Sequence, residues 1–494
     1  MRKIVYLVTI LCVGLLSACK KDKSTSNTSI NLLKDSVYLF EKEDYLWNTA
    51  IPSYSAFDPR SYTGSSDMAS LSEELYAISQ FKINPETNQP YEYSANDPGE
   101  AKYSFIDNGT ETASLNGTNG DFGFEPIYIA ITDLRVKYVY PGSPAALAGI
   151  TRGDEITSIN NSTNISYDDG SNVNYVVQAV YYSPSITMNL IRLDGTTFTA
   201  TLNTASYTVD PVITYKVFNE GAGNEVGYMV FNSFTTLTNA QPKLNEAFNY
   251  FIANGVTDLV VDLRYNGGGE TETAEYLDDL IVPASQSGTL MYTTYFNSGL
   301  QNNNYPLLAK KFTLSAGEFL PQNNQTKFTK ALTLSLSRVF FIVTDATASS
   351  SELTINNLRP ELNVQLVGDT TYGKPVGEIP ITLGSYILYS PQFYAENSAN
   401  QGDYYTGMAP GSTAYPGELA GDDVTKDFGD STEMLLAHAL NYVKTGTYAI
   451  NKPQIESLSK STLSLHQQSA MALRLNPHKF KGMVAGRLKL RGER

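Results

Sequence analysis

The chain has 494 residues, of which 17% are charged and 41% hydrophobic, and its formal net charge is −15. This composition excludes wholesale disorder and disfavours a nucleic-acid-binding protein, which is usually basic. Only 2 cysteines and 3 histidines occur. They are too few for a disulfide framework or a Cys/His zinc site, so we predict no metal and no cofactor.

The N-terminus has the pattern of a secretory signal peptide, which we place at residues 1–18. Its apolar run, residues 4–16, is shorter than the roughly 20 residues of a spanning helix, although an uncleaved anchor is the alternative. The sequence Leu-Ser-Ala-Cys that ends at Cys19 resembles the bacterial lipobox, which implies lipid attachment to Cys19. A polar tether over residues 19–30 follows. We therefore expect a lipid-anchored protein of the cell envelope, facing the periplasm or the exterior.

Residues 31–120 predict a small N-terminal domain of helices and loops. Apolar residues recur at helical spacing at Leu32, Leu33, Leu39 and Phe40, and again at Leu71, Leu75 and Ile78. Residues 81–120 are rich in Asn, Gly, Pro and Tyr, which is typical of turns and hairpins.

Residues 121–207 predict a compact β-rich module with strand-like runs at 127–131, 136–139, 186–190 and 198–202. Between the second and third runs, Pro-Gly-Ser-Pro-Ala-Ala-Leu-Ala-Gly-Ile predicts a turn, a short helix started by Ser143 and Pro144, and a glycine stop. Arg-Gly-Asp-Glu-Ile follows at once.

This succession closely resembles a PDZ domain of the bacterial protease type, and a generic β-barrel module is the alternative. The resemblance implies capture of a peptide by strand addition, with its C-terminal carboxylate held by backbone donors. Phe122, Gly123 and Phe124 are at the position of the carboxylate-binding loop.

Residues 208–450 predict a larger α/β domain, so the fold class is multidomain α/β. Apolar strands at 259–263, 339–343 and 364–367 alternate with helical stripes, which favours parallel strands covered by helices. Three polar stretches follow these strands, namely Asp262–Gly269, Thr347–Glu352 and Thr371–Gly377. Such loops at the carboxyl ends of strands are where sites usually form.

The order and spacing of these stretches, together with the PDZ-like module, resemble the carboxyl-terminal processing peptidases. The resemblance covers about residues 120–445 and implies a serine peptidase with a Ser-Lys dyad. It assigns the nucleophile to Ser349, three residues before a Glu, and the base to Lys374, 25 residues further on. A neutral lysine can activate a serine hydroxyl, and all three histidines lie in the last 57 residues.

The oxyanion of such a reaction needs backbone donors, which we assign to Ser350 and to Gly269 or Gly268. Glu378 departs from the family pattern, which has Gln four residues after the base. An ionised Glu378 would favour the ammonium form of Lys374 and weaken it as a base. The segment Gly407–Gly411 keeps the family's Pro but not its acid. Arg264 is expected to form a structural ion pair, with a substrate carboxylate as the alternative partner.

Residues 451–494 hold nine Lys or Arg against two Glu, and residues 487–491 alternate like a strand. We expect a disordered or poorly packed basic tail, with contact to anionic lipid or to the acidic body as the alternative.

Together these patterns predict a membrane-tethered serine endopeptidase that acts on unfolded or C-terminal peptide substrates. A catalytically weak, peptide-binding lipoprotein with the same fold is the first alternative. A glycan-handling lipoprotein is the second, suggested by the 34 tyrosines, although no positioned pair of carboxylates stands out. The oligomeric state is left open.

Overall fold

The structure is a computed structural model that describes residues 23–95, 97–168, 170–221, 223–450, 464–476 and 481–486. The predicted signal peptide and Cys19 lie outside these residues, as does the strand-like run at 487–491. In the described part, no helix combines the length and the apolar character needed to cross a membrane.

The N-terminal part is helical, as predicted, and contains small hairpins. Its elements are α1 Lys23–Asp44, α2 Tyr54–Phe57, α3 Asp67–Ser79, β1 Ile83–Asn84, β2 Gln89–Pro90, β3 Phe105–Asp107, α4 Thr110–Leu115 and β4 Thr118–Asn119. The prediction of a polar tether up to residue 30 is wrong from Lys23 onward, where α1 begins. Ser, Thr and Asn are weak helix formers, but a helix already fixed by packing of Val37 and Tyr38 extends at little cost.

The β-rich module that follows is a five-stranded antiparallel sheet with two helices. Its strands lie in chain order and its elements are β5 Phe124–Ala130, β6 Asp133–Val139, α5 Pro144–Leu147, β7 Glu155–Ile159, α6 Ser171–Tyr181, β8 Ser185–Ile191 and β9 Thr197–Asn203. The predicted helix start is confirmed, because the Ser143 hydroxyl accepts the N–H of Ala146 at 3.3 Å and Pro144 is the first helical residue. Strand β5 is an edge of this sheet.

The large domain is built on a six-stranded sheet in the order β11-β12-β13-β17-β18-β23, in which only β11 is antiparallel to its neighbour. Its strands, with the short β10 that pairs with β4, are β10 Tyr207–Thr208, β11 Val212–Asn219, β12 Glu225–Phe231, β13 Asp258–Asp262, β17 Arg338–Val343, β18 Asn363–Gly368 and β23 Gly417–Leu419. Alternate residues of β13 face opposite cores, since Leu259 and Val261 join one apolar cluster and Val260 joins another. This two-sided burial explains the continuous apolar run.

The remaining elements cover the sheet and extend it to the side. They are α7 Leu237–Ala253, β14 Gly268–Glu270, α8 Thr271–Ile281, β15 Leu290–Phe296, α9 Ser298–Gln301, α10 Leu308–Lys311, β16 Gln325–Lys327, α11 Ser350–Leu358, β19 Val376–Gly377, β20 Ile381–Leu383, β21 Tyr386–Tyr389, β22 Phe393–Asn397 and α12 Met434–Thr445. A second sheet has the order β16-β15-β22-β19. Strand β21 pairs with β3, and α1, α3 and the α/β domain share one apolar core.

The C-terminal region contains two ordered elements, α13 Leu465–Leu475 and β24 Gly482–Val484. Helix α13 packs on β5 and α6 of the β-rich module, and β24 pairs in parallel with β14. The expectation of a disordered or poorly packed tail is therefore wrong for residues 464–476 and 481–486. Met471, Leu475 and Met483 carry apolar side chains that are buried on packing, and these residues were not singled out in the sequence.

Candidate active site

The loops after β13, β17 and β18 meet at one edge of the main sheet, as the parallel order requires. The amide N–H of Ala348 and the hydroxyl of Ser351 both donate to the carbonyl of Asn266, at 3.1 and 3.0 Å. The Tyr372 N–H donates to the carbonyl of Thr347 at 2.9 Å. The three polar stretches that the sequence pointed to are therefore in direct contact.

Ser349 stands at the strand-to-helix turn that opens α11, in a backbone conformation that is rare for a residue with a side chain. Its φ and ψ are 61° and −110°, and the residue is fully buried. Its N–H donates to Glu352 at 2.8 Å, whereas its hydroxyl has no hydrogen-bond partner among the described residues. A buried serine in this strained conformation is a feature of functional sites. Ser349 and Glu352 also hold the two reciprocal capping-box positions at the start of α11.

Glu352 connects the serine loop to the lysine loop, and sequence reasoning did not assign it this role. Its carboxylate accepts the N–H groups of Ser349, Gly373 and Lys374 at 2.7 to 2.8 Å, and the Thr371 hydroxyl at 2.5 Å. Burial raises the pKa of Glu352, and these hydrogen bonds oppose that rise. The available signal was its position three residues after a Ser at a helix start, which is the capping-box spacing.

Lys374 is fully buried beside the serine loop. Its ammonium nitrogen forms an ion pair with Glu378 and donates to the carbonyl of Lys481 at 2.5 Å. A longer contact of 3.5 Å reaches the carbonyl of Tyr103, whose ring centroid lies 5.7 Å away. The amine is thus enclosed by protein atoms.

The Glu378 carboxylate points at Lys374 and not away from it. Burial raises the pKa of Glu378 to about 7, and the positive charge of Lys374 works against that rise. The Met483 N–H donates to the Glu378 carboxylate at 3.1 Å. Near neutral pH this carboxyl is therefore close to its own titration midpoint.

Backbone donors lie beside Ser349, where the sequence placed an oxyanion site. The N–H of Ser350 has no acceptor among the described residues, and the Ser350 hydroxyl donates to the carbonyl of Gly269 at 2.7 Å. The N–H of Gly268 already donates to Asn266 Oδ1 at 2.9 Å. Of the two glycines proposed as oxyanion donors, Gly269 is therefore the one whose N–H does not donate to the Asn266 side chain.

Both glycines are required by close packing as well as by backbone conformation. Gly268 has φ +102°, and a Cβ there would lie 2.2 Å from the carbonyl oxygen of Gly482 and 2.9 Å from the amide nitrogen of Ser350. Gly269 has φ +139°, and a Cβ there would lie 2.0 Å from the carbonyl oxygen of Phe234.

Arg264 forms the structural ion pairs that the sequence analysis favoured. Its guanidinium is buried and contacts the carboxylates of Asp262, Asp422 and Glu433 at 2.7, 2.6 and 2.9 Å. Asp262, Asp422 and Glu433 thus already bind the guanidinium N–H groups that a substrate carboxylate would need.

The predicted carboxylate-binding loop lies at the start of β5. Phe122 and Phe124 are buried in the core of the β-rich module, and Gly123 has φ +78°. The Gly123 N–H donates to Asp121 at 2.8 Å, and its carbonyl accepts the N–H of Tyr140 at 2.9 Å. The loop is therefore a tight turn held by the Asp121 side chain and by the backbone of Tyr140.

The described part of the chain offers no residues arranged for histidine or metal catalysis. His438 is the histidine whose side chain lies within that part, and its Nδ1 is 2.9 Å from the carbonyl oxygen of Tyr448. Among the described residues, no group of three or more His, Cys, Asp or Glu could hold a metal ion.

Comparison with known proteins agrees with this geometry. Residues 225–402 match the model of peptidase family S41, and residues 135–180 match that of a PDZ domain. The order of the two matches, a PDZ domain followed by a peptidase of family S41, is the order that the resemblance predicted. The chain is therefore similar to S41 peptidases over residues 225–402 and to PDZ domains over residues 135–180.

The matching relatives are named as processing proteases. The carboxy-terminal processing protease CtpA of Bacillus subtilis is 27% identical over 241 residues, which is 47% of this chain and 42% of the relative. The carboxyl-terminal-processing protease of Picosynechococcus is 25% identical over 260 residues, covering 49% and 50% of the two chains. The chain thus spans about half the length of the curated relatives that it matches.

A solved structure shares the fold over a larger part of the chain. An S41 protease from Bacteroides fragilis superposes with a TM-score of 0.55 and 22% sequence identity, over 83% of this chain and 97% of that one. This likeness concerns the fold alone.

Proposed function

We propose that the protein hydrolyses peptide bonds, with Ser349 as nucleophile and Lys374 as general base. The observation that carries the proposal is the strained, buried Ser349, whose free hydroxyl lies in a loop joined to the Lys374 loop through Glu352. A buried lysine can lose its proton near neutral pH, and a neutral amine can accept the serine proton.

The proposed reaction has two steps. The Ser349 hydroxyl attacks the peptide carbonyl while its proton passes to the Lys374 amine. The oxyanion is held by the N–H groups of Ser350 and Gly269. The tetrahedral intermediate then expels the amine of the departing chain, which takes the proton from Lys374. Water, activated in turn by Lys374, hydrolyses the acyl-enzyme and restores the serine.

The PDZ module would bring the substrate to this site. Strand β5 is an edge strand, and an exposed sheet edge accepts an extended peptide by strand addition. We propose that unfolded chains or C-terminal peptides bind there, with the carboxylate near the Phe122-Gly123-Phe124 turn.

The decisive experiment compares the wild-type protein with Ser349→Ala and Lys374→Ala on an unfolded protein substrate. We expect each variant to lose at least 1000-fold in kcat/KM, because the nucleophile or its base is missing. Ser285→Ala and Lys327→Ala are matched controls, since both side chains are exposed and neither lies in the three loops of the site. Proteolysis that survives in Ser349→Ala would exclude this mechanism.

A second candidate function, peptide binding without efficient catalysis, is favoured by the Lys374–Glu378 ion pair. An ionised Glu378 stabilises the ammonium form, which is no base. Absence of turnover in the wild type, with retained binding of a peptide C-terminus, would support this candidate instead.

We further propose that the mature protein is tethered to a membrane of the cell envelope through lipid on Cys19. The lipobox-like sequence before Cys19 supports this proposal. Expression with a labelled fatty acid tests it. The wild type should incorporate label and fractionate with membranes, and Cys19→Ala should do neither, whereas Cys12→Ala should behave as wild type.

A further inference from the structure

The C-terminal residues 464–476 and 481–486 lie on both of the surfaces that the proposed function assigns to peptide substrates. Helix α13 covers the side of the PDZ module formed by β5 and α6, and β24 lies beside the oxyanion loop. The six strands of the main sheet pair with one another without taking part in either contact.

Strand β24 is held between two parts of the active site, as a substrate strand would be. On one side the Gly482 N–H donates to the carbonyl of Gly267 at 3.0 Å. On the other side, Glu378 donates its N–H to the carbonyl of Met483 at 2.8 Å and accepts the N–H of Ala485 at 3.0 Å. Main-chain pairing on both edges is the way in which proteins capture extended peptides.

The register of this pairing brings one carbonyl of the strand to the oxyanion loop. Gly482 is opposite Gly268, so a parallel ladder directs the Gly482 carbonyl toward the N–H of Gly269. A Cβ placed on Gly268 would be 2.2 Å from that carbonyl oxygen and 2.9 Å from the N of Ser350. The Gly482 carbonyl therefore lies near both proposed oxyanion donors, which makes Gly482–Met483 the candidate bond for attack by Ser349.

Neighbouring residues of the strand complete the occupation. The Lys481 carbonyl accepts the Lys374 ammonium at 2.5 Å. The side chains of Met483 and Val484 are buried, at 0% and 3% exposure. A cleft of about 1370 Å³ outside the site is lined by Lys481 and Tyr372, while Ser349 and Lys374 do not reach its wall.

Helix α13 occupies the PDZ module in an equally specific way. Met471 and Leu475, at 5% and 1% exposure, join the apolar core that contains Phe122 and Phe124. Arg474 donates to Asn174 of α6 at 2.8 Å. The helix thus lies along the edge strand that a peptide would have to extend.

We propose that residues 464–476 and 481–486 are an intramolecular ligand that keeps the enzyme closed, with α13 on the PDZ groove and the Gly482–Met483 bond at Ser349. The activity readout of this proposal rests on the proposed function, and its binding readout does not. Because the ligand is covalently tethered, its local concentration is of the order of millimolar. A free peptide therefore competes only when α13 or β24 has been released. A peptide C-terminus that displaces α13 would thereby also loosen β24.

Point variants of the full-length chain are designed to release either β24 or α13. Met483→Asp brings a charge into the buried cleft and should expel β24, and Met471→Asp should expel α13. Met483→Leu and Met471→Leu are matched controls, because they keep apolar volume at the same positions. Hydrogen exchange of the residue 482–484 amides reports directly whether the strand has left, and thermal unfolding checks that the body is intact.

Binding of a fluorescent Lys-Gly-Met-Val-Ala-Gly peptide is measured in proteins that also carry Ser349→Ala. Turnover is measured in proteins that keep Ser349. We expect at least tenfold tighter peptide binding and at least tenfold higher kcat/KM in both Asp variants, with no change in the Leu controls. If hydrogen exchange shows that the amides of residues 482–484 are released but the peptide does not bind more tightly, the inference is overturned. Tighter binding without turnover in any variant would retain it and reject the proposed function. If Met483→Asp does not fold, Met471→Asp alone decides.

Discussion

Lys374 and Glu378 form an ion pair in which neither side chain has any exposure to solvent. The pair places a carboxyl with a pKa of about 7 against the proposed base. Above that pH the ionised Glu378 stabilises the ammonium of Lys374, and below it the protonated Glu378 withdraws that support.

Glu378→Gln is therefore expected to keep or raise peptidase activity and to move the optimum to lower pH. Without the adjacent negative charge, the ammonium form of Lys374 loses a stabilising interaction, so the neutral amine persists to lower pH. The pH profile of kcat/KM measures the shift of the acidic limb. Complete loss of activity, with an unchanged melting temperature, would contradict this role of Glu378.

Glu352→Gln is expected to lower kcat at least 100-fold and to destabilise the protein by about 3 kcal/mol. In the wild type, three backbone N–H groups donate to the two carboxylate oxygens of Glu352. In the variant, the NH2 group of the glutamine replaces one of these oxygens, and an unsatisfied buried donor costs about 1 to 3 kcal/mol. Steady-state kinetics and urea unfolding measure the two effects. Glu246→Gln on the surface is the control and should change neither. Wild-type kcat in Glu352→Gln would show that the two loops do not depend on this carboxylate.

Arg264→Met is expected to reduce the free energy of unfolding by about 3 to 5 kcal/mol, because the buried carboxylates of Asp262 and Glu433 lose their cation. The matched control is Arg60→Met, which removes a solvent-exposed ion pair with Asp35 and should change the free energy of unfolding little. Denaturant titration measures both. If Arg264→Met were as stable as the control but failed to bind peptide, a substrate role for Arg264 would replace the structural one.

Glu74→Gln is expected to stabilise the protein at pH 8 by a few kcal/mol, on the scale of 1.36 kcal/mol per pKa unit. Burial raises the pKa of Glu74 to about 9, and neither carboxylate oxygen has a hydrogen-bond partner among the described residues. The folded state holds the proton more tightly, so stability falls as pH rises from the ordinary value near 4.5 toward 9.

The gain of Glu74→Gln should consequently vanish near pH 4, where Glu74 is protonated in both states. Melting temperatures at pH 4, 6 and 8 measure this dependence. Glu73→Gln, at the exposed neighbouring position, should show none of it. A gain that is equal at all three pH values would mean that the ionisation of Glu74 is not its cause.

The sequence predicted those parts of the molecule whose signals are local. The apolar run 259–263 indicated a doubly buried strand, and Ser143 with Pro144 indicated a helix start, because each depends on neighbours within a few residues. The position of Ser349 at a strand-to-helix turn was predictable in the same way.

The linking role of Glu352 and the insertion of β24 could not be predicted, because they join segments that are distant in the chain. Gly482 pairs with Gly268 across more than 200 residues, and nothing in either local sequence names the other. The three residues of β24 carry too weak a strand signal to compete with the basic, polar character of the surrounding tail. Their conformation is decided by the cleft that receives them.

The pairing of β3 with β21 has a consequence for biosynthesis. Residues 105–107 pair with residues 387–389, so this strand pairing cannot form until most of the chain has been synthesised. Helices α1 and α3 contact each other, but the rest of the core that they share belongs to the α/β domain and is synthesised later. A chain released from the ribosome before residue 387 would therefore expose part of that apolar core, which favours aggregation.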